Sequence, residues 1–218
     1  WCFSGIVGFL IGILAGIYKG SLFDKIIKIF CLALQSAPTF WIGLLILSLF
    51  SVYLGWFPIG FAVPMGKLSL EITIWDRIYH LILPALTLSI LGISRVTLFT
   101  RQKLIEILNS DFILFAKARG ENTRQLVIRH GLRNIALPAI TEQFASFSEL
   151  FGGIALAETV FSYPGLGTAT TAAGLNGDVP LLLGIAIFSA IFVFVGNFIA
   201  NILYGVLDPR LKEGKYNG

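Results

Sequence analysis

Two glutamates seven positions apart, Glu142 and Glu149, interrupt an apolar stretch, and Ser146 lies between them. On an unbroken helix seven residues make about two turns, so the three polar groups share one face. A carboxylate in hydrocarbon costs about 2.5 kcal/mol or more, so this face must turn toward a water-filled cavity or a partner helix. Two roles follow. The face can line a permeation path, or it can form hydrogen bonds between helices, with Glu142 near an aqueous interface. Thr141, Gln143 and Ser148 add to the polarity of the same stretch. Glu158 is nine residues beyond Glu149, nearly opposite on a helical wheel, and is expected to serve another purpose.

Other chemistry is sparse. The two histidines, His80 and His130, are far apart in the chain, and the two cysteines, Cys2 and Cys31, have no metal-ligand spacing. His130 is expected to take part in local packing or to cap a helix end. There is no G-x-x-x-x-G-K-[ST] phosphate loop, no Gly-x-Ser-x-Gly elbow and no His-Glu-x-x-His. No catalytic residue, cofactor or metal is therefore expected.

The elements that must position the glutamates follow from composition. Of 218 residues, 56% are hydrophobic and 13% charged, with a mean hydropathy of +0.84. Soluble domains carry about 25% charged residues, so too little polar surface is available to cover a core. The apolar runs are long and do not alternate with period two, which leaves an all-α polytopic membrane protein. A spanning helix needs about 20 apolar residues. Five such segments are expected, at about 1–18, 29–54, 78–99, 135–161 and 180–206, with an amphipathic run from Ser21 to Lys28 before the second. The chain starts at Trp1, already apolar and without a basic leader, and reads as beginning inside a spanning segment. Pro38 and Pro84 fall near the starts of their runs, where proline is tolerated. Gly152 and Gly153 are candidates for a kink or a close crossing.

Charge orients these spans. With five crossings, 14 of the 16 Lys and Arg residues fall on one side, including Lys19, Lys28, Arg101, Lys117, Arg124, Arg133 and Lys212, with Arg95 in the adjoining turn; only Lys67 and Arg77 fall on the other. The basic side is cytoplasmic by the positive-inside rule, which puts the C-terminus inside. The net charge of +4 belongs to this asymmetry rather than to a nucleic-acid partner. Gly8, Gly12, Gly16 and Gly20 stack on one helix face, as intramolecular packing or a dimer seam requires.

Residues 100–134 form the one sizeable cytoplasmic stretch. Arg101–Leu108 is expected to extend the third span. Asp111 is a suitable N-cap for a helix over Phe112–Arg119, and Gly120 a suitable stop. A second short helix is expected from about Asn122 to His130. A helix as short as the first cannot span a bilayer, but it can lie on a membrane or dock in a groove.

The run DFILFAKARGENTRQLVIRHGLRNIALPAIT at 111–141 resembles the cytoplasmic signature loop of permease subunits in ABC importers, most closely the dipeptide/oligopeptide/nickel branch. HLILPALTLSI (80–90), ETVFSYPGLG (158–167) and LYGVLDPRLK (203–212) match further family segments in the expected order. Phe-Ala-Lys-Ala-Arg-Gly at 115–120 stands where many ABC permeases have Glu-Ala-Ala before the glycine, the form usual in the peptide/nickel branch. Glu142 and Glu149 make the fourth span more acidic than the family pattern, which leaves the substrate class open.

The resemblance implies a type I importer transmembrane domain over 1–218, lacking the family's first span and external region, in a cell inner membrane. It implies a coupling loop at about 100–134 in which Asp111, Phe115, Ala116, Ala118, Arg119 and Gly120 meet a separate ATP-binding cassette ATPase. It also implies a second homologous permease, an external substrate-binding protein and a lipid surround. The cargo would be a peptide, a nickel chelate or a similar small solute. On the residues alone two other classes stay open, a non-transporting scaffold or receptor subunit and a proton-driven transporter using Glu142 and Glu149. The charge asymmetry makes a direct prediction. Cysteines placed near Lys67 are labelled from outside intact cells by an impermeant reagent and cysteines near Arg124 are not; the reverse pattern inverts the topology.

Overall fold

The computed structural model describes the backbone of residues 1–66 and 71–207, and the side chains of these except 148–152 and 203–207. Lys67, Arg210, Lys212, Lys215, the side chain of Glu149 and most of the LYGVLDPRLK segment thus lie outside the described residues. The described elements are helical, with no strand among them: α1 Cys2–Ile17, α2 Leu22–Ser36, α3 Thr39–Ile46, α4 Ile74–Leu108, α5 Asp111–Ala118, α6 Thr123–Gln125, α7 Leu132–Ala145, α8 Phe147–Val160, α9 Leu166–Asn176 and α10 Val179–Leu207. Wider π-type turns extend α3 over Leu47–Tyr53 and join α6 to α7 over Leu126–Gly131.

The helices form two compact units. The first takes Trp1–Ala33, Gly92–Phe147 and the described residues from Phe194 on; the second takes Leu34–Leu91 and Ser148–Val193.

In the first unit α1 lies parallel to the second half of α4. Each step of one turn on α1 is matched by one turn on α4: Ser4 meets Gly92, Gly8 meets Val96, Gly12 meets Thr100 and Gly16 meets Leu104. The approach is too close for side chains on α1. A Cβ added at Gly12 would stand 2.7 Å from the Thr97 carbonyl oxygen and 2.7 Å from Thr100 Cβ. The Thr97 hydroxyl donates to the Gly8 carbonyl at 3.2 Å. The glycine face is thus an intramolecular seam, and the outward face of α1 shows Phe3, Ile6, Leu10 and Leu14. Gly20 does not belong to the seam. It lies beyond α1 in a turn at φ +84°, with open space where a Cβ would be. Beside the seam, Trp1 donates from Nε1 to the Gln143 carbonyl at 3.1 Å and packs edge-on against Phe144 and Phe147.

In the second unit Ile42, Ile46, Leu83 and Phe161 form a buried core, with Leu34, Phe50, Phe57 and Tyr163 around it. The loop after the α3 extension is pinned to this core. Phe61 N–H donates to the Phe161 carbonyl at 2.9 Å, and a Cβ at Gly60 would collide with that same oxygen. His80 is buried, with Nδ1 at 2.9 Å from the Gly60 carbonyl and 3.1 Å from that of Phe61. Both partners are acceptors, so Nδ1 carries the proton and donates. Glu158 is also buried and holds α9. Its Oε2 accepts the Thr168 N–H at 2.8 Å, a cap supplied from another helix.

Several expected boundaries move. The 29–54 segment is not one straight helix: α2 begins at Leu22 and meets α3 with its extension at 109°. Pro38 lacks the N–H that would continue α2 and takes an extended conformation, φ −60° and ψ 140°. The 135–161 segment breaks at Ser146, whose ψ is −2° and whose hydroxyl donates to the Gln143 carbonyl at 2.7 Å, competing with the helical pattern. No break occurs at Gly152 or Gly153, and a Cβ at Gly153 would press on Leu88, a close crossing. Pro84 lies well inside α4, which starts at Ile74. Between the expected fourth and fifth spans lies a further helix, α9, which ends at Gly177 with φ +68°.

By length and composition, α4 and α10 can each cross a membrane, and so can α2 and α3 if taken as one bent span. At 16 residues α1 is about 24 Å long, short of about 30 Å of hydrocarbon.

The seam yields a stability prediction. Gly12→Leu forces α1 off α4 and lowers stability by about 1–3 kcal/mol, as overpacking does. Gly174→Ala, at a position with open space, leaves stability nearly unchanged. Thermal unfolding in detergent measures both, and equal effects would refute the seam.

Candidate functional site

The short helix α5 is built from its caps inward. Ser110, not Asp111, is the N-cap, with φ −77° and ψ 156°. Asp111 occupies the first turn, where its charge still favours the positive end of the helix. The C-terminus closes in a Schellman motif. Gly120 N–H donates to the Lys117 carbonyl at 3.0 Å and Glu121 N–H to that of Ala116 at 3.3 Å. Gly120 holds φ +92°, so the expected stop is in place and needs glycine.

Below α5 lies a small core. Ile113 and Ala116, each 1% exposed, pack with Leu126, Ile107 and Leu108, so α5 is seated on the end of α4. This splits the sequence-derived contact set. Ala116 faces inward and seats the helix, whereas Asp111, Phe115, Ala118, Arg119 and Gly120 are exposed. Phe115 is 74% exposed, with Phe112 and Leu114 also outward, so three large apolar side chains of a loop face away from its core. Lys117, Arg119, Arg124 and Arg129 are exposed around them.

The return limb is braced. Asn122 and Gln125 form a reciprocal capping box, at 3.0 Å and 2.9 Å. His130 Nε2 lies 3.1 Å from Glu121 Oε2, and its ring meets Phe112 edge-on. The helix expected over 122–130 is therefore one α turn followed by π turns that run directly into α7. His130 has the packing role expected of it.

The polar stretch has a different arrangement from the one its spacing implied. Glu142 is half-buried in α7, and its carbonyl accepts the Ser146 N–H at 3.1 Å. Glu149 belongs to α8, and with the helix interrupted at Ser146 the seven-residue spacing no longer fixes a common face. Gln143, which the spacing argument does not single out, is the buried polar residue here. Its Nε2 donates to the Trp1 carbonyl at 2.9 Å, while Oε1 is buried without a partner. It borders a cavity of about 420 Å³ lined by apolar residues such as Ile6, Phe9, Ile140 and Phe144. Only the tertiary fold brings Trp1 to Gln143, 142 positions apart, so no local pattern marks it.

Comparison with known proteins places this geometry. The family model described as "Binding-protein-dependent transport system inner membrane component" matches residues 8–213. The oligopeptide transport system permease protein AppB of Bacillus subtilis is 39% identical over 80% of this chain and 54% of its own length. The di/tripeptide permease protein DppB of Pseudomonas aeruginosa is 35% identical over 97% of this chain and 67% of its own. The Escherichia coli dipeptide permease protein DppB is 32% identical over 98% and 68%. The chain thus spans about half of the first relative and two thirds of the others. Among solved structures, a chain of the MetNI methionine ABC transporter superposes with a TM-score of 0.64 at 18% identity, covering 94% of this chain and 89% of that one, and so shares the fold. A match over nearly the whole chain, with relatives above 30% identity, means that this chain belongs to the family of inner membrane components of binding-protein-dependent transport systems.

Proposed function

We propose that the chain is the permease part of an ABC importer that moves a peptide into the cytoplasm. The observation that carries the reading is α5: a short helix seated by Ile113 and Ala116 on the end of α4, with Phe112, Leu114 and Phe115 facing out. Three large apolar side chains on a basic loop, aimed away from its own core, need a partner surface. A docking groove on an ATPase subunit supplies one. The relatives, peptide permeases by name, favour a peptide over a nickel chelate as cargo.

In this reading residues 1–218 are one permease domain and about 100–134 are its coupling loop. The C-terminus is cytoplasmic. Asp111, Phe115, Ala118, Arg119 and Gly120 meet the ATPase, with Ala116 beneath them. Nucleotide-driven movement of the ATPase shifts the spans only because its grip on α5 differs between their two arrangements. A second, homologous permease completes the path, an external binding protein delivers the solute, and lipid covers the remaining apolar surface. Glu142, Ser146 and Glu149 contribute polar groups to the path.

Two experiments test this. In the assembled transporter, Gly120→Val strains a left-handed position and reduces ATPase docking, so that transport and solute-dependent ATP hydrolysis both fall by tenfold or more, about what a coupling of 1–3 kcal/mol supplies. The spans still insert, because the loop is outside the bilayer. Full coupled activity in that variant would remove α5 from the ATPase contact. For the path, Glu149→Gln lowers uptake of a cationic cargo more than that of a neutral one of similar size. Unchanged uptake of both with a lower melting temperature would make Glu149 a structural residue.

A further inference from the structure

The turn after α1 and the first turn of α2 surround a buried carboxylate. Asp24 is 3% exposed, and its Oδ2 accepts the Gly20 N–H at 2.8 Å. Gly20 adopts φ +84° to present that N–H, and the Ser21 hydroxyl accepts the Asp24 N–H at 3.2 Å. Across from it stands Arg101 of α4. The guanidinium binds with two parallel hydrogen bonds, Nε to Oδ1 and Nη2 to Oδ2, the latter 2.7 Å long. Little of either side chain is exposed, 14% for Arg101 and 4% for Asp24. Such a fork fixes direction as well as distance, which a single ammonium contact cannot do.

Its position on α4 gives the pair its importance. Arg101 lies between Thr100, which meets Gly12, and Leu104, which meets both Gly16 and Gly131. One turn further on, Ile107 and Leu108 carry α5. The seam, with its Thr97 to Gly8 hydrogen bond, joins α1 to α4 and leaves the start of α2 to be held by other contacts. A bidentate ion pair resists sliding. Force applied at α5 reaches the end of α4 through Ile107 and Leu108, where this pair ties α4 to the first turn of α2.

We propose that Asp24 and Arg101 are positioning residues for coupling: their ion pair locks α2 to the cytoplasmic end of α4, so that a displacement of α5 moves both helices together. The proposal rests on the reading of α5 as the ATPase contact. It assigns no contact with solute or nucleotide to either side chain.

Stability and coupling must be separated in the test, because removing one partner strands a buried charge in any protein. The assembled transporter is prepared unmodified and with Asp24→Asn, Arg101→Met and both changes together. Asn retains an oxygen for the Gly20 N–H, so the turn is preserved. Melting temperature, ATPase co-purification, and ATP hydrolysis with and without solute-loaded binding protein are measured. Each single variant melts at a lower temperature. The double variant, with no stranded charge, recovers most of that loss and keeps its ATPase. The decisive expectation is that solute-dependent stimulation in the double variant stays about tenfold below the unmodified transporter. If stimulation returns together with stability, the pair is a structural tie and the proposal is overturned. It is equally overturned if both single variants couple normally. An unmodified transporter that neither retains an ATPase nor responds to loaded binding protein would overturn the reading of α5 itself, and the pair's role with it.

Discussion

The nearness of two backbones governs the first unit. Lipid tails are as apolar as leucine, so helices in a membrane gain little from hydrophobicity when they meet and must gain from contact instead. Glycines at 8, 12 and 16 let α1 lie against carbonyl oxygens and Cβ atoms of α4 at distances no side chain allows. The closer the axes, the more atoms fall within dispersion range. The seam ends on Leu104, fully buried between Gly16 and Gly131. One turn further along α4, Ile107 and Leu108 are the residues on which α5 rests. The loop therefore inherits its position from a glycine face nearly 100 residues earlier in the chain.

Polar groups in the second unit obey the complementary rule. Where water is absent a polar group without a protein partner is costly, and here two buried side chains satisfy distant backbone. His80 serves the carbonyls of Gly60 and Phe61, and Glu158 serves the first turn of α9. These are the features that keep a loop and a short helix in place without a large apolar interface of their own.

Much of this was legible in the sequence, and the reasons differ by element. The lengths of α4 and α10, the short α5 and the stop at Gly120 follow from hydrophobic runs and from glycine, which are local signals. So does the glycine face, although its period ran one step too far and took in Gly20, which belongs to a turn around Asp24. The bend at Pro38 was present as a proline, but a proline does not specify its 109°. The break at Ser146 carries only a weak local signal, a serine whose hydroxyl competes for the Gln143 carbonyl, since serine sits inside many helices. The helix α9 was hidden because its cap comes from Glu158 rather than from the residue before it. Of the site, the residues of α5 were named through the family resemblance of 111–141, whereas the inward turn of Ala116 and the burial of Gln143 required the fold.

Gly165 constrains how one corner of this protein can change. A Cβ placed there would stand 2.0 Å from Oε1 of Glu158, inside the carboxylate itself. A larger residue at 165 must push the Glu158 carboxylate aside and so weaken its bond to the Thr168 amide, and a shorter residue at 158 removes that acceptor outright. The cap of α9 is thus shared between two positions seven residues apart, and a change at either one is felt at the other.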